Sequence, residues 1–221
     1  MSAVLEALNT LFCMKEIAPG LRYWTAPHPA WNGATDWPEE VRCVYYEAAD
    51  AVTLIDPLLP RGLEDDFLAA LDRDVARLDR PVAVLLTAPW HNRDAASVAE
   101  RYGTTVWAHP AAQARLAFAT QAGPLPNGVE TFSACGVAEG DVAFYLRPHR
   151  ALVVAELFMG IGGALRVCPS PALQDRAAFE GSLQTLLSWP IDHVLVAHGE
   201  PMIGNGGRRI EEALRAFAAT E

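Results

Sequence analysis

The chain has 221 residues, 51% hydrophobic and 20% charged, enough apolar material for a substantial core and unlike a disordered or fibrous composition. A formal net charge of −10 and a pI near 5.0 exclude the basic footprint that neutralises a phosphate backbone, so nucleic acid is not an expected partner. The opening "MSAVLEALNTLFCMKEIAPG" carries Glu6 and no basic leader, and no later stretch is long and apolar enough to span a membrane; a cytoplasmic protein is expected.

"VRCVYYEAADAVTLIDP" reads as a hairpin of two strands about Ala49 and Asp50, the second ending at Asp56 and Pro57. Leu63, Phe67, Leu71, Val75 and Leu78 recur at helical spacing and predict an amphipathic helix over 62–79, closed by Pro81. "VAVLLT" is an uninterrupted apolar run, as in a strand covered on both faces. Asp94 is placed to cap a following helix that contains Ser97 and Glu100 and stops at Gly103, before the strand "TTVWA"; Pro110 starts another helix.

The second half repeats the scheme. "DVAFYLRPHRALVVAE" is a hairpin about residues 147–150, and the Gly-rich "GIGGALRVCPSP" reads as a loop. Residues 173–189 are expected to be helical, "HVLVAHGEP" is a strand with a polar end, and "GRRIEEALRAFAAT" is a terminal helix with Ile210, Leu214 and Phe217 on one side. Hairpins mixed with strand–helix units predict a layered α/β (α+β) protein, and the absence of a linker or repeat predicts one domain over 1–221. The four cysteines form no C-x-x-C pair and are expected to be small buried hydrophobes.

Polar residues stand just after apolar strands at Asp56, at 87–94, at Glu156 and at His198, where sheet proteins place their sites. In chain order, "LIDPLLP", "LLTAPWHNRDAASVAERYGTTVWAHP", "GVAEGDVAFYL", "ALVVAELFMG" and "VLVAHGEPMIGNGG" resemble the stations of the metallo-β-lactamase fold superfamily over nearly the whole chain. The resemblance implies an αββα sandwich, two mixed sheets flanked by helices. Anchored on Thr87, it places the family's T-H-x-H-x-D-H ligands on Ala88, Trp90, Asn92 and Arg93, its hairpin histidine at about Val137, its bridging aspartate on Glu156 and its last histidine on His198. Five of those seven positions are substituted and cannot serve as the family needs; Glu156 and His198 still can.

Arg93 is a permanent cation where a metal ligand would stand, and it is expected to pair with Glu156. The primary expectation is therefore a protein without metal or other cofactor and without the family's hydrolysis. It would keep a pocket formed by Asp56, Trp90, His91, Asn92, Arg93, Asp94, Glu156 and His198 for an unknown small molecule or partner. The alternative is a metallo-hydrolase with one zinc or iron ion rebuilt on His91, Glu156 and His198. His109 reads as a turn residue and His28, His149 and His193 as surface. The Trp-rich "YWTAPHPAWNGATDWPEE" reads equally as an aromatic lid or as a plug filling the vacated cavity. No G-x-S-x-G elbow exposes a serine, the glycines of "GNGGRR" read as a tight helix start rather than an anion site, and the oligomeric state is open.

Overall fold

The computed structural model describes residues 14–33, 37–137, 139–168 and 173–220. A seven-stranded sheet runs in chain order: β1 (Lys15–Ala18), β2 (Leu21–Pro27), β3 (Glu40–Glu47), β4 (Val52–Ile55), β5 (Val82–Leu85), β6 (Val106–Trp107) and β7 (Thr120–Gln121). β8 (Val129–Phe132), β9 (Ala143–Leu146), β10 (Ala151–Val154), β13 (His193–Val196) and β14 (Met202–Ile203) make a five-stranded sheet in the order β14-β13-β10-β9-β8. Helices α1 (Glu64–Leu78) and α2 (Ala95–Tyr102) pack on the first sheet, and α4 (Arg176–Gln184) and α5 (Gly206–Ala218) on the second; α3 is the short Pro110–Gln113.

Three apolar clusters correspond to the three interfaces between these layers. Val44, Ile55, Leu85, Trp107, Phe144, Val153 and Leu195 fill the space between the sheets. Trp24, Leu54, Phe67, Val84 and Val98 join the first sheet to α1 and α2, while Leu152, Val196, Phe179, Ile210 and Leu214 join the second to α4 and α5. β4 and β10 are buried along their whole length because each sheet is covered on both faces, which is why they read as continuous apolar runs.

The predicted elements recur with adjusted limits. α1 begins at Glu64, with Glu64, Asp65 and Asp66 facing the positive end of the helix, and stops where Asp79 turns left-handed. The helix expected over 173–189 is α4, capped by Asp175 through the Ala178 amide and followed by a 3-10 turn at Thr185–Ser188. The Gly-rich segment expected as a loop is instead a hairpin, β11 (Phe158–Ile161) and β12 (Ala164–Val167). Gly162 and Gly163 both have positive φ, the two-residue turn that suits strand twist, so these glycines start a hairpin rather than a loop. The strands β1, β2, β7 and β8 carried no legible strand signal. Among the cysteines, Cys43 is buried as expected, but Cys135 is exposed and Cys168 half-buried; Cys13 lies outside the described residues. No described helix is long and apolar enough to cross a membrane.

What positions the site is the direction of the central strands. β4 and β5 are parallel, and so are β10 and β13, so each pair ends at the same edge of its sheet. Glu156 and His198 each lie two residues beyond the paired Val154 and Val196. Two isolated bridges, Val41 with His198 and Gly160 with Gly199, tie the β13 end to β3 and β11. A Cβ on Gly199 would collide with the Gly160 carbonyl and one on Gly160 with the Glu200 backbone, and Gly199 has φ +79°, so both positions demand glycine.

Phe144 is fully buried between the sheets against Trp107, with ring centroids 5.3 Å apart. Phe144→Ala is expected to destabilise the protein by about 3–5 kcal/mol in a denaturant titration. A loss below about 1 kcal/mol would contradict a packed inter-sheet core.

Candidate functional site

Asp56, at the end of β4, is buried and has a left-handed backbone, φ +51°. Its Oδ1 accepts the Thr87 amide at 2.8 Å, and its Oδ2 accepts the Thr87 hydroxyl and pairs with His91 Nδ1 at 2.9 Å. His91 closes a 3-10 turn, Pro89–His91, that starts shortly after β5 and turns its ring back over the sheet edge. That ring presents Nε2 to Glu156 Oε1 at 3.3 Å, and His198 Nε2 approaches the same oxygen at 3.5 Å. Trp90 Nε1 donates to it as well, at 3.3 Å. His91, Glu156 and His198 thus form a cluster whose ligand atoms all lie within 4.8 Å of one another.

The ionisation of this cluster follows from its partners. Burial works to raise the Asp56 carboxyl, but the charge and hydrogen bond of His91, with Arg93 and Thr87, hold it below the usual carboxylate range. Burial likewise opposes ionisation of Glu156, and the hydrogen bonds and charges of His198 and His91 overcome it, holding that carboxyl well below its ordinary value. Burial works to lower His91, whereas Asp56 and Glu156 raise it above the usual histidine value. Asp141, two residues before β9, is buried beside these groups, and burial pushes its carboxyl up to about 7; His91 opposes the rise, and Glu156 and Asp56 add to it.

Arg93 does not pair with Glu156. Its Nη1 donates to the carbonyls of Arg42 at 2.8 Å and Asp56 at 2.9 Å and meets Cys43 Sγ at 3.4 Å, so the guanidinium ties β3 to the end of β4. The two backbone carbonyls and the Cys43 sulfur share the one nitrogen Nη1, while Arg93 Nε and Nη2 are buried with no hydrogen-bond partner among the described residues. Glu156 is instead satisfied by Trp90, His91 and His198. Asp94 occupies the N-cap position of α2, but its carboxylate accepts the Leu59 amide at 2.7 Å and makes no cap bond, so it braces the 57–60 loop. Asn92 is exposed, and its carbonyl accepts from the Ala95 amide at the start of α2.

The tryptophan-rich segment supplies one ring to the core and one to the site. Trp24 is buried in the core against Phe67 and donates to the Leu58 carbonyl. Trp37 stacks on His198 at 5.1 Å, and His28 meets Trp37 edge-on at 5.2 Å; residues 34–36 lie outside the described residues. On the other side Trp90 is 38% exposed, with the Arg115 guanidinium 5.2 Å above its ring. The His–Glu–His cluster thus touches two indoles, Trp37 at His198 and Trp90 at Glu156. His28, expected at the surface, lies close enough to feel Arg93, His91 and His198; burial first, then those charges, lowers its pKa. His109 is a turn residue, its Nδ1 accepting the Ala111 amide, and it also lines a cavity with Ser133, Glu139 and Asp141. Asp141 was missed by sequence reasoning. The available signal was a carboxylate between Gly140 and a strand buried along its length.

No protein-family model matches the chain, and no curated protein does. Solved structures do. The metallo-β-lactamase DIM-1, in a crystal exposed to ceftazidime, superposes with a TM-score of 0.68 at 11% identity, over 92% of this chain and 96% of that one. The fold is that of the metallo-β-lactamases. A metallo-β-lactamase from Pontibacter korlensis gives a TM-score of 0.66 at 16% identity, covering 91% of this chain and 98% of its own. A metallo-β-lactamase family protein from Thermus thermophilus gives 0.60 at 19% identity, covering 92% and 81%. This metallo-β-lactamase-like fold accounts for the αββα layering and for the strand-end position of the cluster, and the chemistry depends on the residues placed there.

These contacts predict the outcome of two double-mutant cycles measured by denaturant unfolding. Asp56 and His91, changed to Asn and Gln, are expected to couple by about 0.5–3 kcal/mol because they share a buried contact. Arg93→Met with Glu156→Gln should be additive within about 0.5 kcal/mol. Strong coupling in the second pair would restore the ion pair expected from sequence.

Proposed function

We propose that the protein is a metallo-hydrolase of this fold with one divalent metal, zinc or iron, held by His91, Glu156 and His198. The observation that carries the reading is the convergence of three donors, whose ligand atoms all lie within 4.8 Å of one another. Around a tetrahedral ion with bonds of about 2.0–2.1 Å, ligand atoms stand about 3.3–3.4 Å apart. The separations from Glu156 Oε1 are 3.3 Å to His91 and 3.5 Å to His198. Asp56 supports the same reading, since a carboxylate on Nδ1 fixes the tautomer and leaves the His91 Nε2 lone pair facing Glu156. The two-metal set of the fold does not fit this chain, because Ala88 and Trp90 carry no ligand atom and the Arg93 cation is directed at backbone carbonyls.

Bound there, a divalent ion would supply Lewis-acid polarisation of a carbonyl or phosphoryl oxygen and activation of water. The protein's own groups would do the rest. Asp56 holds the His91 ring, Glu156 supplies the charge that a buried cation requires, and Trp90 and Trp37 restrict water on either side of the cluster.

A second reading, the metal-free pocket, has one specific observation in its favour. His198 Nδ1 is buried without a hydrogen-bond partner among the described residues. A lone pair is left unmatched there more cheaply than an N–H, so this atom favours a proton on Nε2 donated to Glu156. In that state a protonated His91 bridges Asp56 and Glu156 and no metal is required.

Elemental analysis of protein purified without chelator or histidine tag distinguishes the two. About one equivalent of zinc or iron is expected, falling at least about tenfold in His198→Ala and in His91→Ala. Less than about a tenth of an equivalent in the parent protein, after growth in metal-supplemented medium, would leave the metal-free pocket as the function-bearing arrangement.

A further inference from the structure

A groove of about 580 Å³ runs between β12 and α5, and no residue of the His–Glu–His cluster lines it. Its volume is that of a small-molecule site, about 300–1,000 Å³. One side is the whole of β12, residues 164–167, and the other runs along α5 from Arg209 to Thr220. The walls are apolar and reachable from solvent. Ala164 and Ala216 are exposed, and Val167 and Phe217, which join β12 to α5 in the core, each leave 8% of their surface uncovered. The Thr220 hydroxyl is engaged by the Phe217 carbonyl, so the charged lining is Arg166, Arg209 and Glu212. Arg166 is exposed on the outward face of β12, and its guanidinium has no partner among the described residues. Arg209 is exposed as well; it stands 3.7 Å from Glu212, which Arg208 holds more closely at 2.9 Å. Two cations and one engaged carboxylate leave the groove positive in a chain of net charge −10.

From this combination we propose that the groove binds a small amphiphilic anion, an alkyl carboxylate, with its head group on Arg166 and its chain along α5. Each half of such a molecule answers one feature of the groove. The chain covers the exposed methyl groups of Ala164 and Ala216 and the open edges of Val167 and Phe217, removing apolar surface from water. The head group meets a guanidinium that stays charged at every working pH and offers a carboxylate two parallel N–H donors. Arg209 adds positive potential from the helix side. An alcohol of the same length keeps the apolar contact and loses the ion pair, and an alkylammonium meets two like charges. The groove lies outside the proposed metal site, and the inference does not rest on that reading.

The test is a titration of the full chain with octanoate, octan-1-ol, octylammonium and acetate, near neutral pH and at low ionic strength, where exposed charges are least screened. Binding is followed by NMR at the methyl groups of Val167, Ala213 and Ala216, which belong to the groove. Octanoate is expected to shift these signals and to bind at least about threefold more tightly than octan-1-ol, with octylammonium weaker than the alcohol. Acetate, which has the head group without the chain, should bind at least about tenfold more weakly than octanoate. Arg166→Gln should weaken octanoate by about threefold or more and Arg209→Gln by about twofold, each leaving octan-1-ol within about twofold. Both arginines are exposed, so neither change is expected to affect folding. Ala216→Trp, also at an exposed position, fills the groove and should weaken octanoate and octan-1-ol alike by about tenfold. Unmoved methyl signals, octanoate no tighter than octan-1-ol, or octanoate affinity unchanged in both arginine variants or in Ala216→Trp would overturn the proposal. Octanoate held by a metal at the His–Glu–His cluster would leave the groove methyl signals unmoved, so this outcome is separate from the metal reading, which elemental analysis decides.

Discussion

The buried carboxylate of Asp56 is the constraint on which the rest of the site depends. An ionised group with only 3% of its surface exposed persists only if its oxygens are matched, and here they are matched by Thr87 and His91. Binding both the amide and the hydroxyl of Thr87 fixes how the chain leaves β5 relative to β4. That in turn sets the 3-10 turn over Pro89–His91 and aims the His91 ring at Glu156. The same residue contributes its carbonyl to Arg93, so the guanidinium closes the corner between β3 and β4. The left-handed backbone of Asp56 is part of this arrangement, since it turns carboxylate and carbonyl toward different partners.

Glu156 is the second centre, and its position follows from parallel pairing. β10 and β13 run together, so the residues two beyond the last paired valines come out side by side. The close crossing of Gly160 and Gly199 holds that edge, and a side chain at either position would separate the strands. Three side chains then converge on one carboxylate oxygen, from Trp90, His91 and His198. A carboxylate so surrounded stays ionised and attracts positive charge. Whether that charge is a proton on His91 or a divalent ion between the rings depends on the same few atoms, because both occupy the space between His91 Nε2 and Glu156.

Arg93 illustrates how local chemistry is redirected by the backbone. Its charge and planar fork suggest a carboxylate partner, and the nearest candidate in the sequence pattern was Glu156. In the fold, the carbonyls of Arg42 and Asp56 stand within reach and take the guanidinium instead. Asp94 behaves alike: its place in the sequence is that of a helix cap, yet the Leu59 amide across the loop takes its carboxylate.

Much of the fold was legible in the sequence because it rests on patterns that survive without tertiary information. Apolar runs marked the strands buried on both faces, helical spacing marked α1 and α5, and polar residues at strand ends marked Asp56, Glu156 and His198. Short edge strands such as β1 and β7 carry too few residues to show a period, and Gly162 and Gly163 read as a loop until their φ values made them a turn. The sequence by itself determined which residues stand at the ends of the central strands, since burial on both faces dictates composition directly. Only the tertiary structure decided what those residues touch: Arg93 on carbonyls, His91 between two carboxylates, Asp141 with an oxygen left over. Such pairings depend on distances between segments far apart in the chain, and residue type alone does not encode them.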